Sequence, residues 1–171
     1  MDGIGIRTVF RVLDLNSPMK KTISLKVNGG ERSAEVEPRT TLLELVREQF
    51  YLTGAKLGCD IQVCGACTLL LDGKPVSACS VLAVDADGCE ILTVEGLSDK
   101  DGLHPLQEAF MEFGALQCGY CTSGFLLTAK ALLDECPQPS ERQIKDYLAG
   151  NFCRCGCYQE IVQAIKNVVG S

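Results

Sequence analysis

The chain has 171 residues, is 46 % apolar and carries a net charge of −6. That length suits one domain or two small ones with a real core. Scattered basic residues and the absence of Trp argue against a nucleic-acid surface, and no apolar run approaches the ~20 residues of a membrane-spanning helix.

Residues 1–18 contain no assignable element and read as an N-terminal extension. From Thr22 the apolar residues alternate (Ile23, Leu25, Val27). The turn Asn28-Gly29-Gly30 follows, then Ala34 and Val36 on a returning strand, so the stretch reads as a β-hairpin. Thr41 and Glu44 form a capping box ahead of Leu45, Val46 and Phe50, which predicts a short amphipathic helix.

Next comes Gly54–Thr68, which holds Cys59, Cys64 and Cys67 in C-x4-C-x2-C spacing, with Cys79 twelve residues on. That is the ligand spacing of a plant-type [2Fe-2S] cluster. Gly58, Gly65 and Ala66 are small enough to let backbone N–H groups approach the sulfurs. Asp72-Gly73 joins Thr68–Leu71 to Lys74–Ser77 as a second hairpin, and Glu90–Val94 reads as a last strand. Polar, turn-rich residues 96–102 mark a boundary.

Beyond it the pattern is helical, over Leu106–Phe113, Gly124–Leu133, a third helix opened by the Ser140/Gln143 capping box and ending at Gly150, and Gln159–Val169. Four helices predict a bundle. Cys118 and Cys121 precede the second helix, and Cys153 and Cys155 lie between the third and fourth. Helix N-termini favour a negatively charged iron–thiolate group. Taken alone, this quartet suits zinc as well as a second [2Fe-2S] cluster; the plant-type loop upstream tips the balance to iron. Eleven cysteines, an odd number without an export signal, favour metal ligation and a cytoplasmic location over disulfides. His104, the only histidine, precedes Pro105 at a helix start, where a structural role is expected.

The strings GAKLGCD, CGACTLLLDG, SAC, QCGYCTSG and AGNFCRC with the Tyr that follows resemble the small iron–sulfur subunit of the xanthine oxidase family of molybdenum hydroxylases. The resemblance runs from about residue 20 to 169. It implies an α+β chain: a β-grasp, ferredoxin-like domain over 19–96 and a four-helix domain over 103–171, each with one [2Fe-2S] cluster. Matched residue by residue, the first cluster takes Cys59, Cys64, Cys67 and Cys79, and the second Cys118, Cys121, Cys153 and Cys155. Gln117 and Cys155 match positions that contact the molybdopterin of a large catalytic subunit, and the ferredoxin cluster faces the FAD of a medium subunit. The implied role is electron relay from molybdopterin to flavin or another acceptor. The alternatives are a free-standing two-cluster ferredoxin and a zinc-bound interaction module.

Three positions depart from the family pattern. Gln62 and Ser123 stand where Gly and Pro are usual, and Gly156-Cys157 replaces Thr-Gly. Ser123 is expected to cap the following helix. Cys157 creates C-x-C-x-C; Cys155 is assigned as ligand because Cys153-Arg154-Cys155 matches in place. Cys89, Cys136 and Cys157 then read as small buried hydrophobes.

Overall fold

The structure is a computed structural model that describes residues 19–98, 100 and 102–170. The N-terminal extension read over 1–18 lies outside them. Strand β1 (Lys21–Val27) turns at Asn28 (φ 50°) and Gly29 (φ 80°) into antiparallel β2 (Gly30–Val36). Two successive left-handed residues make the tight turn whose twist matches the strands. On β1 the residues Ile23, Leu25 and Val27 are buried while Thr22, Ser24 and Lys26 are exposed, so one face of this hairpin meets the core.

The second hairpin, β3 (Thr68–Leu71) with β4 (Lys74–Ser77), uses the same device at Asp72 (φ 48°) and Gly73 (φ 80°). Strand β5 (Glu90–Leu92) lies between the two hairpins, parallel to β1 and antiparallel to β3, giving the order β2-β1-β5-β3-β4. The expected strand to Val94 stops at Leu92, because Val94–Gly96 winds into a 3-10 turn.

Between the hairpins, helix α1 (Leu42–Glu44) opens on the Thr41/Glu44 capping box and widens into a π-turn over Leu45–Gln49. The amide of Phe50 closes that turn on the Leu45 carbonyl at 3.1 Å. Leu42, Leu43, Leu45, Val46 and Phe50 are all buried.

Four helices follow: α2 (Pro105–Glu112), α3 (Thr122–Glu135), α4 (Glu141–Tyr147) and α5 (Tyr158–Gly170). Helix α2 packs on α5, and α4 packs on both α3 and α5. His104 has the structural role expected of it. Its Nδ1 accepts from the Leu106 amide (3.2 Å), while Gln107 Oε1 accepts from the His104 amide (2.9 Å), a capping box with Pro105 in the first turn. The third helix ends earlier than expected, its last turn to Gly150 being 3-10.

Helix α3 also lies against β3, β4 and the Val94–Gly96 turn. This contact explains why Thr68, Leu69 and Leu70 are buried in succession rather than alternately: β3 is covered on both faces. One continuous apolar core runs from Ile23 on the sheet through Phe125 and Leu127 to Ile165 on α5.

Two expectations need correction. Helix α3 begins at Thr122, two residues before Gly124, with Cys121 at its N-cap position and no side-chain cap. Ser123 therefore sits inside the first turn, and its buried hydroxyl caps nothing and has no hydrogen-bond partner. Of the three spare thiols only Cys157 is buried; Cys89 and Cys136 are half-buried, one ahead of β5 and the other at the C-cap of α3.

Candidate iron–sulfur sites

The loop from Gly54 to Cys67 wraps around Cys59. Asp60 (φ 58°) and Gln62 (φ 61°) adopt left-handed backbone, which turns successive amides inward. The N–H groups of Val63 and Cys64 both donate to Cys59 Sγ at 3.3 Å. Together with the Ile61 amide, the largest contributor, they hold the Cys59 thiol down at about 7. The left-handed angle explains why Gly is usual at position 62, and the exposed Gln62 carries a conformational cost of about 1 kcal/mol.

Gly58 has a packing role, since a Cβ there would stand 2.7 Å from Cys64 Sγ. Gly65 has a further role. It is held at φ 69°, and a Cβ on it would meet Gly150 O at 2.6 Å and Asn151 Nδ2 at 2.5 Å. Its smallness serves contact with the second cysteine loop.

The second hairpin delivers the other two thiols of this set. Register pairs Thr68 with Ser77; Cys67 stands one residue beyond that pair and Cys79 two, within the 3-10 turn Ala78–Ser80, and their thiols interact at the end of the ladder. The Ala78 amide donates to the Cys67 carbonyl at 3.4 Å. Burial, followed by the Cys79 thiol, pushes Cys67 up to about 11, with Cys64 also close enough to raise it. Cys59, Cys64, Cys67 and Cys79 thus form one interacting set.

The helical half forms another. Cys118 lies on the surface, half-buried Cys121 opens α3, and buried Cys153 and half-buried Cys155 sit on the turn before α5. Cys118 interacts with Cys155, and Cys121 with Cys153. The Tyr120 amide, then Cys155, lowers Cys118. Burial drives Cys121 up to about 12, with Cys153 adding to it. Burial also pushes Cys153 up, but the amides of Cys157, Cys155 and Gly156 and the Cys121 thiol outweigh it, and the net direction is down. Cys157 lies 3 % exposed in the core beside Cys153, raised to about 11 by burial first. Gln117 is exposed next to Cys118.

These donors fit iron–sulfur groups. Close-packed thiols cannot all ionise on their own, and a metal centre supplies the compensating positive charge. Amides aimed at Cys59 and Cys153 complement thiolate sulfur. Among the described residues, no three His, Cys, Asp or Glu side chains converge as they would around a single ion.

Sequence reasoning missed how directly the two loops touch. The Phe152 amide donates to the Cys64 carbonyl at 2.9 Å. Asn151 Nδ2 donates to the Gly65 carbonyl at 3.2 Å, and Tyr120 Oη to the Leu57 carbonyl at 2.6 Å. Gly124 presses its bare Cα on the Gly65 carbonyl, where any Cβ would collide. The only forewarning was the string of small residues at 65, 124 and 150. Tyr158 accepts from the Cys153 amide at 2.8 Å and sets its ring edge-on to Phe125. A cavity of about 750 Å³ opens between Val63 and α5, with Phe152 and Tyr158 on its wall.

Two family models match in succession: a 2Fe-2S iron-sulfur cluster binding domain over residues 25–93 and a [2Fe-2S] binding domain over 93–166. The nicotine 6-hydroxylase small subunit of Paenarthrobacter nicotinovorans is 49 % identical, over 86 % of this chain and 89 % of that one. The nicotinate dehydrogenase small FeS subunit of Eubacterium barkeri is 47 % identical, over 88 % and 96 %. Among solved structures, a chain of quinoline 2-oxidoreductase from Pseudomonas putida 86 superposes with a TM-score of 0.86 at 46 % identity, covering 88 % of this chain and 94 % of that one. With an α+β fold, two thiol sets and this degree of identity, the chain belongs to the small iron–sulfur, electron-transferring subunits of the xanthine oxidase family of molybdenum hydroxylases.

Proposed function

We propose that the chain holds two [2Fe-2S] clusters and relays electrons out of a molybdenum hydroxylase complex. One cluster binds to Cys59, Cys64, Cys67 and Cys79 in a ferredoxin-like domain over 19–96, and the other to Cys118, Cys121, Cys153 and Cys155 in a four-helix domain over 103–171, with 1–18 as an extension. The observation that carries this reading is the gathering of each quartet from two separate elements. When bound, such clusters supply one-electron carriers whose potentials follow burial and N–H···S bonds.

The chain's residues do the rest. Amides of the 60–64 loop and of the turn before α5 stabilise thiolate charge, and the core excludes water from Cys67 and Cys153. Cys155 lies beside Cys118, whereas Cys157 is turned into the core, which supports Cys155 as the ligand.

The partners in this reading are a large molybdopterin subunit, which oxidises the substrate, and a medium FAD subunit. Exposed Gln117 and half-exposed Cys155 lie toward the pterin, and the Cys59 loop, with exposed Leu57, Ile61 and Val63, toward the flavin.

Metal analysis with EPR tests the reading. Two clusters give about four irons per chain, two to each [2Fe-2S] group, and two distinct S = 1/2 signals on reduction. Cys155→Ala removes one signal and Cys157→Ala keeps both. A colourless protein with stoichiometric zinc, or a lost signal in Cys157→Ala alone, overturns the ligand assignment.

A further inference from the structure

We propose that Asn151 is a positioning residue for electron passage between the two cluster loops, holding the Phe152–Cys64 hydrogen bond in register. The inference rests on the two-cluster reading above. Cys64 belongs to the first thiol set and Phe152 immediately precedes Cys153 of the second. Their backbone bond at 2.9 Å therefore joins the two sets through one hydrogen bond and otherwise covalent atoms. Among the described residues, no other backbone hydrogen bond links the two loops so close to a thiol of each.

A single hydrogen bond between two surface-facing loops needs support, and its neighbours supply it. Asn151 is 7 % exposed, and its Nδ2 reaches the carbonyl of Gly65, the residue after Cys64. That carbonyl also accepts from the Thr68 amide (3.2 Å) and Thr68 Oγ1 (2.7 Å), which tie it to the start of β3. The Asn151 amide donates to the Leu148 carbonyl at 2.9 Å, fixing the other side to the end of α4. So the Asn151 side chain bridges two rigid elements, and the Phe152–Cys64 bond lies within that bridge.

Three backbones close on this point with no room to spare. Gly65 has no space for a Cβ against Gly150 and Asn151, and Gly124 has none against Gly65. A side chain that only filled space here would not need an amide. Asn151 supplies a donor to a carbonyl that leans on α3, and an acceptor in its place would push the loops apart.

The test uses the full chain in its native assembly, with Asn151→Asp, Asn151→Ala and Gly124→Ala. Asn151→Asp keeps the shape and turns the donor into an acceptor. Gly124→Ala wedges the same joint from α3 and leaves the Asn151 amide in place, its Cβ falling on the Gly65 carbonyl and 3.1 Å from Asn151 Nδ2. Each sample is assayed for iron, for the two S = 1/2 signals with the clusters reduced singly, and for the magnetic splitting when both are reduced. Electron exchange between them is timed after pulsed one-electron reduction.

The expected result is full iron and unchanged individual signals, with reduced splitting and at least tenfold slower exchange in Asn151→Asp and Gly124→Ala, and a smaller loss in Asn151→Ala. Unchanged splitting and exchange rate in iron-replete Asn151→Asp or Gly124→Ala overturns the proposal. Loss of a cluster from Asn151→Asp overturns it as well, because Asn151 would then be a structural residue. If the unsubstituted chain lacks two signals, the two-cluster reading fails first, and the two failures are thereby told apart.

Discussion

Two glycines with nearly the same backbone angle provide a controlled measure of how tightly the cysteine loops are pressed together. Gly65 has φ 69° and Gly73 has φ 80°, but a Cβ on Gly73 meets nothing within 4 Å, whereas one on Gly65 meets Gly150 O at 2.6 Å and Asn151 Nδ2 at 2.5 Å. Alanine at Gly73 bears only the left-handed penalty, about 1–2 kcal/mol, partly offset by its less flexible unfolded chain, for a net cost of about 1 kcal/mol. Alanine at Gly65 bears the same cost, about 1–3 kcal/mol more for overpacking against backbone, and about 1 kcal/mol for the displaced Asn151 bond. At about 2–4 °C per kcal/mol for a chain of this size, Gly73→Ala lowers the midpoint by roughly 2–4 °C and Gly65→Ala by roughly 6–20 °C. Thermal bleaching of the visible absorbance, followed on both variants side by side, is the assay. A Gly65→Ala midpoint within about 2 °C of that of Gly73→Ala would refute the close approach of the two loops.

Glu141 receives Lys145 Nζ at 2.7 Å and Lys166 Nζ at 2.8 Å, tying α4 to α5, and the Lys145 contact foremost holds its carboxyl down at about 2. A depressed carboxylate stabilises the fold above its unfolded pKa and loses that effect as pH falls toward the folded value. Glu141→Gln should therefore melt below the parent at pH 7, with the gap closing between about pH 4.5 and 2, as read by circular dichroism across that range. Tyr158→Phe leaves the Cys153 amide without its phenolic acceptor and should cost about 1 kcal/mol, or roughly 2–4 °C. An unchanged bleaching midpoint would show that the phenol is dispensable.

What the sequence made legible was local. Asn28-Gly29 and Asp72-Gly73 announced both hairpins, because only left-handed turns of that composition close so tightly. The Thr41/Glu44 and Ser140/Gln143 boxes marked helix starts, and cysteine spacing suggested which thiols to look for together. The insertion of β5 between the hairpins was not legible, because three residues of strand carry no label for their neighbours. Nor was the His104 cap, since imidazole seldom stands in for a hydroxyl or carboxylate there. Ser123 was misread by two residues of helix boundary. The joint of Gly65, Gly124 and Asn151 depends on contact across 86 positions of chain, and periodicity does not reach that far.

The covering of β3 by α3 has a bearing on how the chain is made. Leu69 and Leu70 emerge from the ribosome well before Glu135 completes the helix that shields one side of that strand. At about 5–20 residues per second the interval is on the order of several seconds. During it, the hairpin that presents Cys67 and Cys79 has one bare apolar side and no partner loop against Gly65. Nascent sheet and first thiol set are thus exposed together. Any machinery that loads iron at that stage meets a half-covered strand, and the helices close over it only afterwards.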